Sequence, residues 1–301
     1  MSWRKGLYVI GIALGSSLFA YQILLAYKTI LQSSVQISFP LALITAWGLT
    51  IIAIGLQMMI WARLMGGLGG QLSWRQTVKG YTLSFLPRYI PGSIWGYLSR
   101  SEWLYQNHQI DYAISYVGSL LEALALIIAG GLVIGSYYAS ISPGLTRAIL
   151  ISGVLSSPLL SWLIIKKGIK DMARWPLIKK MPIEQVSLRI SFEEWLVILL
   201  FCSMLWSCYG VSILLILRAL NISSSVGDIL TSSAVFSIAW LTGFLALLLP
   251  AGLGLRELTL SKLMVIYLGL LEGPAALVSI ISRLLMAGGE LFWLAINLTL
   301  K

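Results

Sequence analysis

Acidic side chains are scarce in this chain, histidine occurs once and cysteine twice. Charged residues of both signs make up only 11% of the 301 residues, whereas soluble domains carry roughly 25%. One His and two Cys exclude a zinc domain and a secreted disulfide scaffold. Cys202 and Cys208 lie six apart in one apolar run, on different faces of a helix, and read as small buried residues. No Walker loop, Ser/His/Asp set, metal-ligand spacing or catalytic pair of aspartates is present, so the sequence implies neither cofactor nor metal. What the chain has instead is apolar residues, 58% of the total, with a mean hydropathy of +0.89. Apolar runs long enough to cross a bilayer recur from end to end, which predicts an all-α polytopic membrane protein. The net charge of +10 is then a topology signal and does not indicate nucleic-acid binding.

The spans predicted by hydropathy are 7–27, 41–62, 112–138, 148–165, 195–217 and 275–300. The first is too long for a signal peptide and lacks a small-x-small cleavage site, so it is a retained helix. Two stretches break the pattern. Residues 76–105 carry Lys79, Arg88 and Arg100 with Pro87 and Pro91, and residues 229–271 are interrupted at Pro250-Ala251-Gly252-Leu253-Gly254-Leu255-Arg256-Glu257. Each is predicted to be a re-entrant helical hairpin, since broken backbone is tolerated at membrane depth only where protein or a wet cavity satisfies it.

Loop 166–191 collects Lys166, Lys167, Lys170, Arg174, Lys179, Lys180 and Arg189, which places it in the cytoplasm. Counting crossings outward puts both termini inside as well, in the cell membrane. The single membrane domain 1–301 then falls into halves of about 1–142 and 143–301 with no linker. Each half reads helix, helix, broken hairpin, helix, and three crossings per half make the two opposite in direction. An inverted-topology repeat is therefore expected.

Pro91-Gly92-Ser93-Ile94-Trp95-Gly96 followed by Arg100, then Glu122, then Pro250-x-Gly-x-Gly-x-Arg256-Glu257 resembles the flippase-like transmembrane domain of the lysylphosphatidylglycerol synthases. The resemblance runs over essentially the whole chain. The family pattern is Pro-Gly-Gly-x-Gly-x-Arg-Glu, with Ala251 here in place of the first Gly. The resemblance implies movement of lipids between leaflets by a stand-alone member without the soluble synthase domain, so the lipid-modifying activity of the two-domain members is not carried over.

The motif residues carry a physical reading of their own. Gly252 and Gly254 allow positive φ and close backbone approach, so two half-helices can meet at a sharp turn. A helix starting near Arg256 aims unpaired N–H groups inward, and Arg256 can hold a phosphate bidentately while Glu257 steadies it or carries a proton. The competing reading is a structural Arg256–Glu257 ion pair. Arg88 or Arg100, flanking Pro91-Gly92, would supply a second phosphate contact, with Arg88 preferred; the alternative has both snorkelling to headgroups. Glu122 shares a helical face with Ser115 and Ser119 and is read as a proton-coupling group or as the counter-ion of Arg88 or Arg256. Arg283 and Glu290 lie on one face of the last helix beside Gly288 and Gly289, with a structural role first and a cavity-lining role second. His108 is expected in an exposed polar connection.

The expected function is transport of an anionic phospholipid or lipid-linked saccharide through a central cavity between the two broken hairpins. The expected partners are a membrane lipid with a phosphate-bearing headgroup and a coupling proton or ion, with a homodimer as the assembly to test. The alternative is an integral-membrane enzyme acting on a polyprenyl-phosphate or phospholipid headgroup. Loop 28–40 has no Asp or Glu, which weakens that alternative.

Overall fold

The computed structural model describes residues 3–32, 37–90, 95–172, 188–223 and 228–300. Among the described residues there is no strand, and ten α-helices follow one another: α1 (Trp3–Gln32), α2 (Pro40–Gly67), α3 (Trp74–Thr82), α4 (Trp95–His108), α5 (Tyr112–Ile141), α6 (Gly144–Met172), α7 (Phe192–Ala219), α8 (Ile229–Leu245), α9 (Leu255–Leu268) and α10 (Glu272–Thr299). Six of them, α1, α2, α5, α6, α7 and α10, are long and apolar enough to cross a bilayer. The chain is an all-α integral membrane protein, and these six are the predicted spans. The two predicted interruptions are also present. Short α3 and α4 flank a 3-10 turn at Pro87–Tyr89, and short α8 and α9 flank another at Pro250–Gly252.

Local chemistry fixes several boundaries. Ser73 caps α3 through its hydroxyl while Gln76 reaches back to the Ser73 amide, a reciprocal capping box. Asp111 and Asp228 accept from the backbone amides of Ala113 and Thr231 at the starts of α5 and α8. Gly269, at φ 67°, closes α9 with a left-handed cap. Pro87 denies the backbone of the first interruption one donor, and the chain there passes through turns rather than continuing α3.

The chain forms two compact units, which cut across the two halves of the sequence. One comprises Met1–Ile54, Arg88–Ser93 and Leu205–Ala295; the other comprises Gly55–Pro87, Ile94–Met204 and Ile296–Lys301. Lipid is as apolar as a leucine side chain, so helices associate through close backbone approach rather than through the hydrophobic effect. The first unit follows this rule. A methyl group at Gly210 of α7 would come within 2.2 Å of the Ser233 hydroxyl of α8, and one at Gly289 of α10 within 2.9 Å of Ile54. On α1, Gly11, Gly15, Gln22, Ala26 and Thr29 form one buried stripe. Its two glycines lie against the Leu248 and Leu253 carbonyls of the second interruption. The second unit is built on Trp61, Phe85, Leu104 and Trp195, all inaccessible, and α5 carries the buried polar stripe Ser115, Ser119 and Glu122 that its spacing predicts.

Candidate functional site

In the first unit the polar site grows from the second interruption. Ala251, Gly252 and Gly254 all have positive φ, at 49°, 66° and 79°. Gly252 and Gly254 are needed for space as well as for φ: a Cβ on Gly252 would lie 2.7 Å from the Gly243 Cα, and one on Gly254 would lie 2.3 Å from the Gly15 carbonyl oxygen. The turn delivers the chain into α9 with its first polar residues buried. Glu257 Oε2 accepts from the Gly254 amide at 2.8 Å, and the Ser279 hydroxyl donates to the Glu257 carbonyl at 2.9 Å. The carboxylate therefore sits on the positive end of α9, where the helix dipole favours it.

Arg256 takes a different course. It is 6% exposed, its guanidinium lies 5.1 Å over the Phe236 ring, and Nη2 contacts the Met286 sulfur. The Arg256–Glu257 ion pair of the competing reading is absent, and among the described residues Arg256 makes no ion pair at all. The charges that act on it most strongly are Arg283, Glu257 and Glu290.

The first interruption contributes Arg88 and Tyr89 to the same unit. Arg88 forms an ion pair with Glu290 of α10. Arg283, one helical face along, stands 3.7 Å from Glu257 Oε1, donates to the Tyr89 hydroxyl at 3.4 Å and lies 5.6 Å over the Tyr89 ring. Glu290 thus pairs with the first interruption, while Arg283 reaches Tyr89 of the first and Glu257 just beyond the second. Tyr209, 4% exposed and stacked on Phe236 at 4.5 Å, has Arg256, Glu290 and Arg88 as its charged neighbours. Three arginines (Arg88, Arg256, Arg283) against two glutamates (Glu257, Glu290) leave this cluster one positive charge in excess, and the arginine without a carboxylate is Arg256.

The second unit holds the other predicted pair. Arg100 does not snorkel: it is 2% exposed and donates from Nη1 to Glu122 Oε2 at 2.9 Å. Glu122 is thus the counter-ion of Arg100, not of Arg88 or Arg256 as its position in the sequence suggests. Its other oxygen accepts from the Tyr81 hydroxyl at 2.5 Å. The faces of Tyr81, Trp61 and Tyr97 stand 4.6, 4.9 and 5.2 Å from the Arg100 guanidinium carbon, so three rings enclose the cation that the carboxylate neutralises.

Pro91 and Gly92 lie outside the described residues. His108 is not in a connection but closes α4, half-buried, with Nδ1 3.1 Å from the Gln76 amide nitrogen. Sequence reasoning missed Tyr81, Trp61 and Tyr209 and read Tyr89 and Tyr97 as part of an interface belt, because an aromatic near a membrane segment reads first as an interfacial anchor. The available signal was the proximity of Tyr89 and Tyr97 to Arg88 and Arg100 in a stretch that cannot form one continuous helix. Family models, curated proteins and solved structures give no match to this chain.

Proposed function

We propose that the chain is a lipid transporter of the flippase-like class it resembles, and that the cluster around Arg256 receives the phosphate of an anionic phospholipid or lipid-linked saccharide. The observation that carries this reading is the buried Arg256 guanidinium, held on Phe236 and Met286 without a carboxylate. A cation at bilayer depth costs about 2.5–3.5 kcal/mol on insertion scales, and a charge that is not neutralised internally is a functional hypothesis by default. A headgroup phosphate supplies the missing anion with geometry a guanidinium matches bidentately. Arg283, shared between Glu257 and Tyr89, is the second cation of the cluster.

The element order supports two inverted halves, α1, α2, hairpin, α5 and then α6, α7, hairpin, α10; both termini and the basic stretch 166–191, of which 166–172 continue α6 and 173–187 lie outside the described residues, are then on the cytoplasmic side of a cell membrane. The chemistry required is binding and release, so the chain is a transporter and not an enzyme.

Leaflet exchange in proteoliposomes tests this. Fluorescent phosphatidylglycerol, phosphatidylcholine and a polyprenyl-phosphate sugar are compared with and without a proton gradient. Wild-type protein exchanges a phosphate-bearing anionic lipid, and Arg256→Gln lowers that rate by about tenfold or more, the loss expected for one charge-assisted contact. Exchange insensitive to Arg256→Gln, or no exchange of any lipid by folded protein, overturns the reading.

A further inference from the structure

The second unit contains a groove that plays no part in the proposed transport. It lies between α5 and α6 beside the turn that joins them, has a volume of about 370 Å³, and is lined by Ser136, Ala139 and Ser140 from α5 and by Arg147, Ile151, Val154 and Leu155 from α6. The spacing explains its shape. Residues 136, 139 and 140 share one face of α5, and 147, 151, 154 and 155 share one face of α6. The α5 face carries only short side chains, so the two helices leave space between them towards the turn. They touch at Gly135, where a Cβ would lie 2.9 Å from Val154.

Arg147 stands at the mouth of this groove. It is the only charged residue between Glu122 and Lys166. Its Nε donates to the Ser142 carbonyl at 2.8 Å and Nη2 to the Ser140 carbonyl at 3.4 Å, so the turn holds the guanidinium in place through neutral acceptors. Two carbonyls position a cation but do not neutralise it. The groove therefore combines an apolar channel open along α6, where Leu155 is 74% exposed, with a fixed positive charge at the end of two spanning helices. Apolar walls match an acyl chain, and the charge matches a phosphate at headgroup level.

We infer that this groove binds one phospholipid with a net-anionic headgroup, its phosphate on Arg147 and one acyl chain along Ile151, Val154 and Leu155. The site is separate from Arg256 and stands or falls independently of transport. A zwitterionic lipid meets the same walls but brings its own cation to Arg147, which weakens its hold. A second copy of the chain would have to present a carboxylate there.

Native mass spectrometry of the full chain, titrated with phosphatidylglycerol or with phosphatidylcholine of the same acyl chains, reads this directly. Wild-type protein retains one phosphatidylglycerol in preference to phosphatidylcholine. Arg147→Gln weakens that first binding event by about fivefold, the contribution of one basic residue at a membrane surface, while Arg147→Lys keeps most of it. Leu155→Trp, at a position 74% exposed, blocks the groove and lowers retention of both lipids. Equal retention of phosphatidylglycerol by wild type and Arg147→Gln overturns the headgroup assignment. Unchanged retention in Leu155→Trp overturns the groove as the site. A dimer abolished by either substitution, with lipid retention unaffected, assigns the face to a second copy instead.

Discussion

Arg100 and Arg256 are buried to nearly the same degree in a chain with very few acidic residues, yet their surroundings differ in kind. Arg100 has a carboxylate at 2.9 Å, a tyrosine hydroxyl behind that carboxylate and three aromatic faces around it. Arg256 has one aromatic face, a thioether and another arginine among its strongest electrostatic neighbours. A cation that its own fold neutralises holds structure together, and a cation left positive is available to an incoming anion. Position in the sequence does not separate the two cases, because both arginines lie close to a Pro/Gly interruption.

The contrast can be broken most sharply at Glu122. Glu122→Gln leaves the Arg100 cation buried without its counter-charge, and removing one partner of such a pair costs about 3–5 kcal/mol. The expected outcome is a large fall in the fraction of detergent-solubilised protein that stays monodisperse on heating; a Glu122→Gln protein as heat-resistant as wild type would place Arg100 with Arg256 among the uncommitted cations. Tyr81→Phe removes only the hydroxyl that supports the carboxylate, worth about 1.5–3 kcal/mol for a hydrogen bond to a charged group. The same heating assay should rank it between Glu122→Gln and wild type. The smallest effect is expected at Arg256→Gln, which deletes a buried charge that no carboxylate compensates and should change stability by about 1 kcal/mol or less. A loss as large as that of Glu122→Gln would mean that Arg256 is structural after all.

Both interruptions and all six spans were legible in the sequence, because hydropathy, helix length and the backbone effects of Pro and Gly act locally along the chain. Gly252 and Gly254 were legible for the same reason, and their φ values agree with the expectation. Pairing was not legible. Glu122 lies 22 residues from Arg100 and the two meet only because α4 folds back on α5, while Arg88 finds its partner 202 residues away on α10. Helical periodicity placed Arg283 and Glu290 on one face correctly but could not show that Glu290 meets Arg88 while Arg283 is shared between Tyr89 and Glu257. The tyrosines were hidden by their commonest role. Ala251 shows another limit: it adopts a left-handed φ of 49° in a position where the resembled family carries glycine, so the turn is held by its surroundings despite the Cβ.

The glycines of α1 have a consequence for biogenesis. Gly11 and Gly15 rest on carbonyls of Leu248 and Leu253, which the ribosome adds only after most of the chain has been made. During synthesis the first helix therefore enters the bilayer with its narrow face towards lipid, long before the backbone that will cover it exists. The seam between α1 and the second interruption closes only after the helices from α2 to α8 have been made.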